Sequence, residues 1–155
     1  MNNFEIREFE PPYVTRVQDL LNDIIRKLGF GFSILSTDSD LQDIQANYFL
    51  ESGRFWLLVE NEKLIGTIAL KPLQNNCYEL KRFFISENYR GKGYGNKALE
   101  FIMQYAREKN IGCIKLDTNI KSLRAIHLYK KFGFQEIEPY RTTDKKDMQW
   151  FELRL

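Results

Sequence analysis

Cysteine and histidine are scarce in this chain. Its 155 residues include two cysteines, Cys77 and Cys113, and one histidine, His127. Neither cysteine belongs to a Cys-x-x-Cys pair, so the sequence indicates neither a zinc site nor a cysteine–histidine nucleophile, and we expect no bound metal. Two cysteines also make no disulfide framework. We therefore expect free thiols and a cytoplasmic, reducing environment.

Long apolar runs are missing as well. No run approaches the roughly 18 apolar residues of a membrane-spanning helix, and the first eight residues, Met-Asn-Asn-Phe-Glu-Ile-Arg-Glu, lack the apolar core of a secretion signal. We therefore expect no membrane association. Hydrophobic and charged fractions of 43% and 28% are ordinary, and the length favours a single domain over residues 1–155.

Positive charge is concentrated in two stretches, although the net charge of the chain is only +2. Residues 81–97 carry five basic side chains against one acid, and residues 121–131 carry four basic side chains and no acid. Both stretches lead into predicted helices, where phosphate groups bind readily. No aromatic–basic motif of a nucleic-acid-binding protein is present, so we expect no nucleic-acid partner.

The hydrophobic pattern predicts the order of the elements. Strands are predicted at 4–9, 54–60, 64–70, 78–86, 113–117, 134–138 and 148–155, and helices at 14–28, from Asp38 or Ser39 to 48, at 96–109 and at 122–132. The unit 78–117 is strand–helix–strand, which implies a parallel pair joined by a right-handed crossover. The sequence therefore predicts an α/β (α+β) fold with a mixed, mostly antiparallel sheet of about seven strands and helices on both faces.

A glycine-rich turn joins the fourth predicted strand to the long helix. Residues 90–95 read Arg-Gly-Lys-Gly-Tyr-Gly, and alternate glycines let backbone N–H groups approach an anion at a helix N-terminus, which carries about half a positive charge. The nucleotide-binding P-loop is excluded because no Lys-Ser/Thr pair follows. The dinucleotide-binding motif is excluded because Asn96 stands where its third glycine belongs. The alternative interpretation is a turn without a ligand.

Two motifs resemble the GNAT family of N-acetyltransferases. The form Arg-x-x-Gly-x-Gly, with Arg90, Gly93 and Gly95, resembles the acetyl-CoA pyrophosphate loop of that family. Further along, the chain resembles the family signature Asn-x-x-Ala-x-x-Leu-Tyr-x-Lys-x-Gly-Phe and matches it at Ala125, Leu128, Tyr129, Lys131, Gly133 and Phe134. The element order agrees along the whole chain, and the specific residues fall between 79 and 134.

One signature position differs, because Ser122 stands where the family has asparagine. Serine is an equally good helix N-cap, but its hydroxyl would not reproduce an amide contact to the pantetheine arm. Asn119 lies three residues earlier, at the wrong spacing for that role.

The resemblance implies an acetyl-CoA cofactor and a set of residues that hold it. The backbone of Arg90, Gly91, Lys92, Gly93, Tyr94, Gly95 and Asn96 would bind the pyrophosphate. The pantetheine arm would pair, like an extra strand, with the main chain of Phe83 and Ile85, where the central parallel strands splay. An N–H at Phe83 or Phe84 would polarise the thioester carbonyl, and Ser122 would lie near the arm.

Two side chains are predicted to carry the proton transfers. Tyr129 is the expected general acid toward the cofactor sulfur, against the alternative of a core aromatic residue. Glu79 is the candidate base, against the alternative of a charged residue on the solvent face of its strand. His127 is an unsuitable base, because it lies about 200° around the helix from Tyr129. The family transfers the acetyl group directly, so Cys77 and Cys113 are expected to be structural.

The acceptor is less defined by the sequence. Phe30, between Gly29 and Gly31, begins a segment that we expect to close as a lid over a small amine, and residues 140–147 would form the opposite wall. A small-molecule amine, such as an amino acid, is the first hypothesis. A peptide or protein amine is the second, and a non-catalytic acetyl-CoA-binding regulator is the third. An exposed C-terminal strand would allow a homodimer.

Overall fold

The computed structural model describes residues 3–155. Its strands are β1 (Phe4–Glu8), β2 (Arg54–Glu60), β3 (Lys63–Pro72), β4 (Cys77–Ile85), β5 (Cys113–Asn119), β6 (Gln135–Ile137) and β7 (Met148–Arg154). Its α-helices are α1 (Val14–Lys27), α2 (Ile44–Tyr48), α3 (Tyr94–Glu108) and α4 (Leu123–Lys131), with 3-10 turns at Pro11–Tyr13, Ser39–Leu41 and Glu87–Tyr89.

The strands form one sheet in the order β1-β2-β3-β4-β5-β7-β6. Among the strands of the described residues 3–155, only β4 and β5 run parallel, and every other neighbouring pair is antiparallel. The predicted fold class is confirmed. The expectation of an exposed C-terminal strand is wrong, because β7 lies between β5 and β6 and is paired on both sides.

Helices cover both faces of the sheet and divide the core in two. Residues of α3 and α4 pack with Trp56 and Leu58 on one face, and residues of α1 and α2 pack with Phe55, Leu57 and Val59 on the other. Successive side chains of a strand point to opposite faces. The continuous apolar run of β2 is therefore explained by burial on both sides. We call these the α3/α4 face and the α1/α2 face.

The second predicted helix is interrupted. Ser39–Leu41 forms a 3-10 turn, and α2 is capped by Asp43, whose carboxylate accepts a hydrogen bond from the Ala46 N–H at 3.0 Å. The predicted cap at Asp38 or Ser39 is wrong, because the Asp38 carboxylate bonds to Arg82 at 2.8 Å instead. The predicted apolar face is confirmed by the burial of Leu41, Ile44 and Tyr48.

Cys77 and Cys113 form a disulfide, which corrects the expectation of free thiols. They are the first pair of the parallel β4–β5 ladder, with Cα atoms 4.6 Å apart. The crossover through α3 brings the two strand beginnings side by side, and sequence spacing does not reveal this register. The cytoplasmic location stays a prediction and loses its support from cysteine usage.

Candidate active site

The central strands separate after a short pairing. β4 and β5 are paired from Cys77 opposite Cys113 only as far as Glu79 opposite Lys115, although both strands continue. β5 is paired along its whole length with β7. In the described part of the chain, one edge of β4 therefore has no strand partner from residue 80 onward. Its N–H and C=O groups are available to an extended polar ligand.

An open loop follows β4 and leads into α3. Gly91 and Gly93 adopt left-handed φ angles of 78° and 83°, which L side chains rarely adopt. A Cβ atom added to either glycine would meet no atom within 4 Å. Any other residue at these two positions would thus be strained. The loop also leaves free space beside its backbone at the start of a 15-residue helix. These properties fit a pyrophosphate group.

Gly95 has a different reason to be glycine. A Cβ atom there would lie 3.2 Å from Leu128 Cδ2 and 3.8 Å from Phe83 Cζ. The missing side chain lets the first turn of α3 approach α4 and β4 closely. The sequence predicted helix α3 from Asn96, but it begins at Tyr94, because Gly93 serves as the N-cap.

The side chains of the loop are partly used to hold its shape. The Arg90 Nε–H donates to the Ile85 carbonyl oxygen at 3.0 Å, which closes the loop onto β4. Tyr94 is buried, stacks on Phe4 and donates to Glu60. Lys92 Nζ lies 3.8 Å from the same Glu60 carboxylate. The backbone, rather than these side chains, thus remains the main candidate for contact with an anion.

Residues of α4 meet the loop and the separated strands. Lys131 Nζ donates to Asn96 Oδ1 at 2.9 Å, which ties α4 to the first turn of α3. Ser122 is the N-cap residue of α4, but its side chain makes no capping hydrogen bond. The Asn119 Oδ1 atom instead accepts from the Lys121 N–H at 2.9 Å. The helix starts where predicted, and its N-terminal turn uses both Asn119 and Ser122.

Tyr129 lies on the α3/α4 face beside the separated strands. Its ring centroid is 6.3 Å from that of Phe83 and 5.6 Å from that of Phe134. Burial, with a smaller contribution from Asp117, raises the pKa of the phenol well above its usual value. The hydroxyl is therefore protonated at neutral pH, as a general acid must be. His127, two residues earlier, is exposed.

Glu79 lies on the opposite face, at the last position where β4 is paired with β5. Its neighbours Tyr78 and Leu80 pack on the α3/α4 face, so the carboxylate points to the α1/α2 face. The residue is only 4% exposed, which excludes a solvated strand position. The Tyr140 hydroxyl donates to its Oε2 at 2.5 Å, and Arg141 donates to the same oxygen.

These contacts set the charge of Glu79. Burial alone raises the pKa of the carboxyl, but Lys81, Tyr140 and Arg141 together hold the pKa below its usual value of 4.5. Lys81 Nζ lies 3.6 Å from Oε1. Glu79 is therefore ionised at neutral pH, and its affinity for a proton is low while these partners stay in place.

Arg141 was not identified from the sequence as an individual residue of the site. Its guanidinium donates to Glu79 on β4 and, at 3.2 Å, to Asp117 on β5, so it bridges the two strands where they separate. It also lies over the rings of Tyr140 and Trp150. Residues 140–147 were predicted as a wall, and this contact supports that position. No local pattern could pair residues so distant in sequence.

The segment after α1 forms the other border of the α1/α2 face. Phe30 is 43% exposed and Leu35 is 85% exposed, so their apolar surfaces are not part of the core. A cavity of about 210 Å³ lies between the end of α1 and the loop after β4; its lining consists of Asp23, Ile24, Lys27, Leu28, Ser86, Glu87 and Arg90.

Within residues 3–155, no helix combines the length and apolarity needed to span a membrane.

Comparison with solved structures supports the same fold. An acetyltransferase from Streptococcus agalactiae is 30% identical, with a TM-score of 0.86 over 98% of both chains. A GNAT-family acetyltransferase from Staphylococcus aureus is 28% identical, with a TM-score of 0.85 over 98% of this chain and 99% of the other. The Thermoplasma acidophilum PaiA N-acetyltransferase, solved in complex with coenzyme A, is 18% identical over 99% of both chains and shares the fold, with a TM-score of 0.78.

Sequence comparison agrees. N-acetylaspartate synthetase of Xenopus tropicalis is 30% identical over 75% of this chain and 46% of its own length. Human N-acetyltransferase 8B is 29% identical over 63% of this chain and 46% of its own. The chain spans about half the length of these curated relatives. The model of the acetyltransferase (GNAT) family matches residues 17–134, well over half of the sequence. The chain therefore belongs to the GNAT acetyltransferase family.

Proposed function

We propose that this protein is an acetyl-CoA-dependent N-acetyltransferase that acts on the primary amine of a small metabolite. The observation that carries the proposal is the unpaired edge of β4 running directly into an open glycine loop. One ligand with an extended polar arm and a pyrophosphate fits both features. Acetyl-CoA is such a ligand, and when bound it supplies the acetyl thioester.

The loop and the strand edge would hold this cofactor. Backbone N–H groups of residues 90–96 bind the pyrophosphate at the N-terminus of α3, where no side chain of Gly91 or Gly93 intervenes. Main-chain groups of Phe83 and Ile85 pair with the arm. An N–H of Phe83 or Phe84 donates to the acetyl carbonyl oxygen and stabilises the negative charge that develops there.

The two proton transfers would occur on opposite faces of the sheet. Tyr129, on the α3/α4 face, donates a proton to the leaving sulfur, and its raised pKa keeps that proton in place until it is needed. Glu79, on the α1/α2 face, accepts the proton of the amine directly or through water. The amine therefore approaches from the face that carries Glu79, Lys81 and the loop of Tyr140 and Arg141.

A small acceptor is favoured over a protein because side chains cover Glu79 on the α1/α2 face. Tyr140 and Arg141 lie directly on Glu79 and leave it 4% exposed. A metabolite amine needs only a local displacement of these side chains, whereas a protein segment would need the whole loop to move. This argument concerns size and does not identify the acceptor.

Calorimetric titration with acetyl-CoA, CoA and ATP in parallel tests the proposal, followed by thiol release with a panel of amines. We expect micromolar binding of both CoA forms, far weaker binding of ATP, and turnover with small amines. Turnover only with peptides would favour the protein acceptor. Binding without any turnover would favour a regulator, and no binding of CoA would overturn the proposal.

A further inference from the structure

Arg82 has an unusual backbone conformation in the middle of β4. Its φ angle is 54°, in the left-handed region that non-glycine residues avoid. The β3–β4 register shifts between Thr67 and Ala69, which are paired with Phe84 and Lys81 respectively. Two residues of β4 thus lie opposite one residue of β3, which is a β-bulge. The two bulged residues are Arg82 and Phe83, and Phe84 follows directly. The bulge therefore includes or adjoins both candidates for the N–H contact to the acetyl carbonyl.

The carbonyl group of Arg82 is held by a side chain of β3. The Thr67 hydroxyl, which is fully buried, donates to the Arg82 carbonyl oxygen at 2.6 Å. Because a left-handed conformation costs an L residue about 1–2 kcal/mol, the bulge persists only if surrounding contacts fix it. This hydrogen bond is one such contact.

The guanidinium of Arg82 makes the other contacts. Its Nε and Nη2 atoms donate to the two Asp40 oxygens at 3.0 and 2.5 Å, and Nη1 donates to Asp38 Oδ1 at 2.8 Å. All three side chains are largely buried, with exposures of 10%, 15% and 8% for Arg82, Asp40 and Asp38. Bidentate pairs of this kind fix geometry as well as charge.

Both aspartates belong to the segment between α1 and α2. Asp38 Oδ2 accepts hydrogen bonds from the Ser33 N–H at 2.8 Å and the Thr37 hydroxyl at 3.0 Å, so it orders the turn before it. Asp40 also accepts from the hydroxyl of Tyr48 in α2, which is fully buried. The segment that borders the acceptor side is thus tied through one arginine to the bulge of β4.

From these contacts we infer that Arg82 is a positioning residue for acetyl transfer. Its ion pairs with Asp38 and Asp40 hold the bulge that aims the N–H group of Phe83 or Phe84 at the acetyl carbonyl. The same ion pairs order residues 33–41 on the acceptor side. This inference rests on the proposed function, since it concerns the same site.

The test compares binding of acetyl-CoA with binding of CoA by calorimetry. Arg82→Met removes the ion pairs and keeps an unbranched apolar side chain in place of the arginine stem. We expect the affinity for acetyl-CoA to fall roughly 3- to 10-fold, the effect of one hydrogen bond, while the affinity for CoA changes less than twofold. Equal losses for both ligands, or no loss for either, would overturn the inference.

Three further variants make the result specific. A glycine adopts the left-handed conformation without steric cost. The Arg82→Gly variant should therefore recover most of the affinity for acetyl-CoA that Arg82→Met loses. If Arg82→Met does not fold because two buried carboxylates are left unpaired, the triple variant with Asp38→Asn and Asp40→Asn replaces it, with the same expectation. Arg54→Met, at a partly buried arginine of β2, is the matched control and should change neither affinity.

Amide hydrogen exchange on the same variants provides a readout that needs no ligand. Loss of the ion pairs should accelerate exchange at the amides of residues 81–85 that are hydrogen-bonded to β3, and in residues 33–41, by at least about tenfold. Unchanged exchange in Arg82→Met would overturn the inference. If the wild-type chain bound neither CoA form, the proposed function would fail, and the exchange rates would still decide whether Arg82 holds the two segments.

Discussion

At the scale of single residues, the site is organised by the side of the sheet on which each group lies. Tyr129 is surrounded by aromatic rings and carries a firmly held proton, whereas Glu79 is surrounded by cations and is ionised. Their surroundings set the resting protonation states that the two roles start from, a protonated phenol and an ionised carboxylate. The proton affinity of Glu79 would rise when an incoming amine displaces Tyr140 and Arg141.

Replacing Tyr129 by phenylalanine should lower kcat by about 10²-fold, the lower range for loss of a proton donor. Affinity for acetyl-CoA should stay nearly constant, because the ring remains and only the hydroxyl is removed. Thiol release gives kcat, and calorimetry gives the affinity. An unchanged kcat would leave Tyr129 as a core residue without a part in the reaction.

Replacing Gly93 by valine should abolish binding of acetyl-CoA. The new side chain would enter the free space beside the loop, and the φ angle of 83° is unfavourable for it. The strain of about 1–2 kcal/mol is small against a typical stability of about 5–15 kcal/mol, so the fold should survive. Gly31→Ala is the control, since its Cβ would meet no atom within 4 Å. Retained binding would contradict the assignment of the loop.

The stability of the protein should depend on the ionisation of Glu79. Its pKa is lowered in the folded chain from the usual 4.5. Its ionic contribution is therefore fully present above about pH 4.5 and is lost as the pH falls through the folded pKa. Urea unfolding between pH 7 and 3 should show a weaker pH dependence for Glu79→Gln than for the wild-type chain. Identical slopes would show that the group has no linkage to folding.

At the scale of elements, the sequence predicted most of the strands and three of the helices, because their apolar patterns are local. The positions of the glycine loop and of Tyr129 beside the separated strands also follow from short motifs, while their roles stay predictions. Burial of Glu79, the partners of Arg141 and the left-handed Arg82 could not be predicted. Each depends on residues that are 24 to 62 positions apart in sequence. Strand periodicity indicates only which face a side chain lies on, not what covers it.

The segment after α1 is the element that should affect the acceptor. Gly31→Pro would stiffen it beside the exposed Phe30, at a position where an added Cβ atom meets no atom within 4 Å. We expect the KM of the amine to change more than the KM of acetyl-CoA, because the segment borders the acceptor side only. Steady-state kinetics with both substrates varied measures this, with Gly31→Ala as the control. Equal changes in both KM values would contradict a role as a lid.

At the scale of the whole molecule, the disulfide and the separation of the strands lie at opposite ends of the β4–β5 pair. The disulfide joins residues 36 positions apart, and chain-entropy arguments give such a link about 4 kcal/mol of stability. Reduction, or the Cys77→Ser and Cys113→Ser double variant, should lower the Tm by roughly 10 °C. Differential scanning calorimetry in oxidising and reducing buffer measures this, and equal Tm values would show that the bond does not form.

The separation of β4 from β5 has a kinetic consequence. The loop and Tyr129 lie on one face of the sheet, and Glu79 lies on the other, so the two substrates would enter from opposite sides and meet in the gap between the strands. Neither would block the path of the other, and no order of binding would be imposed. A single inhibitor that joined both substrates would have to span the sheet from one face to the other.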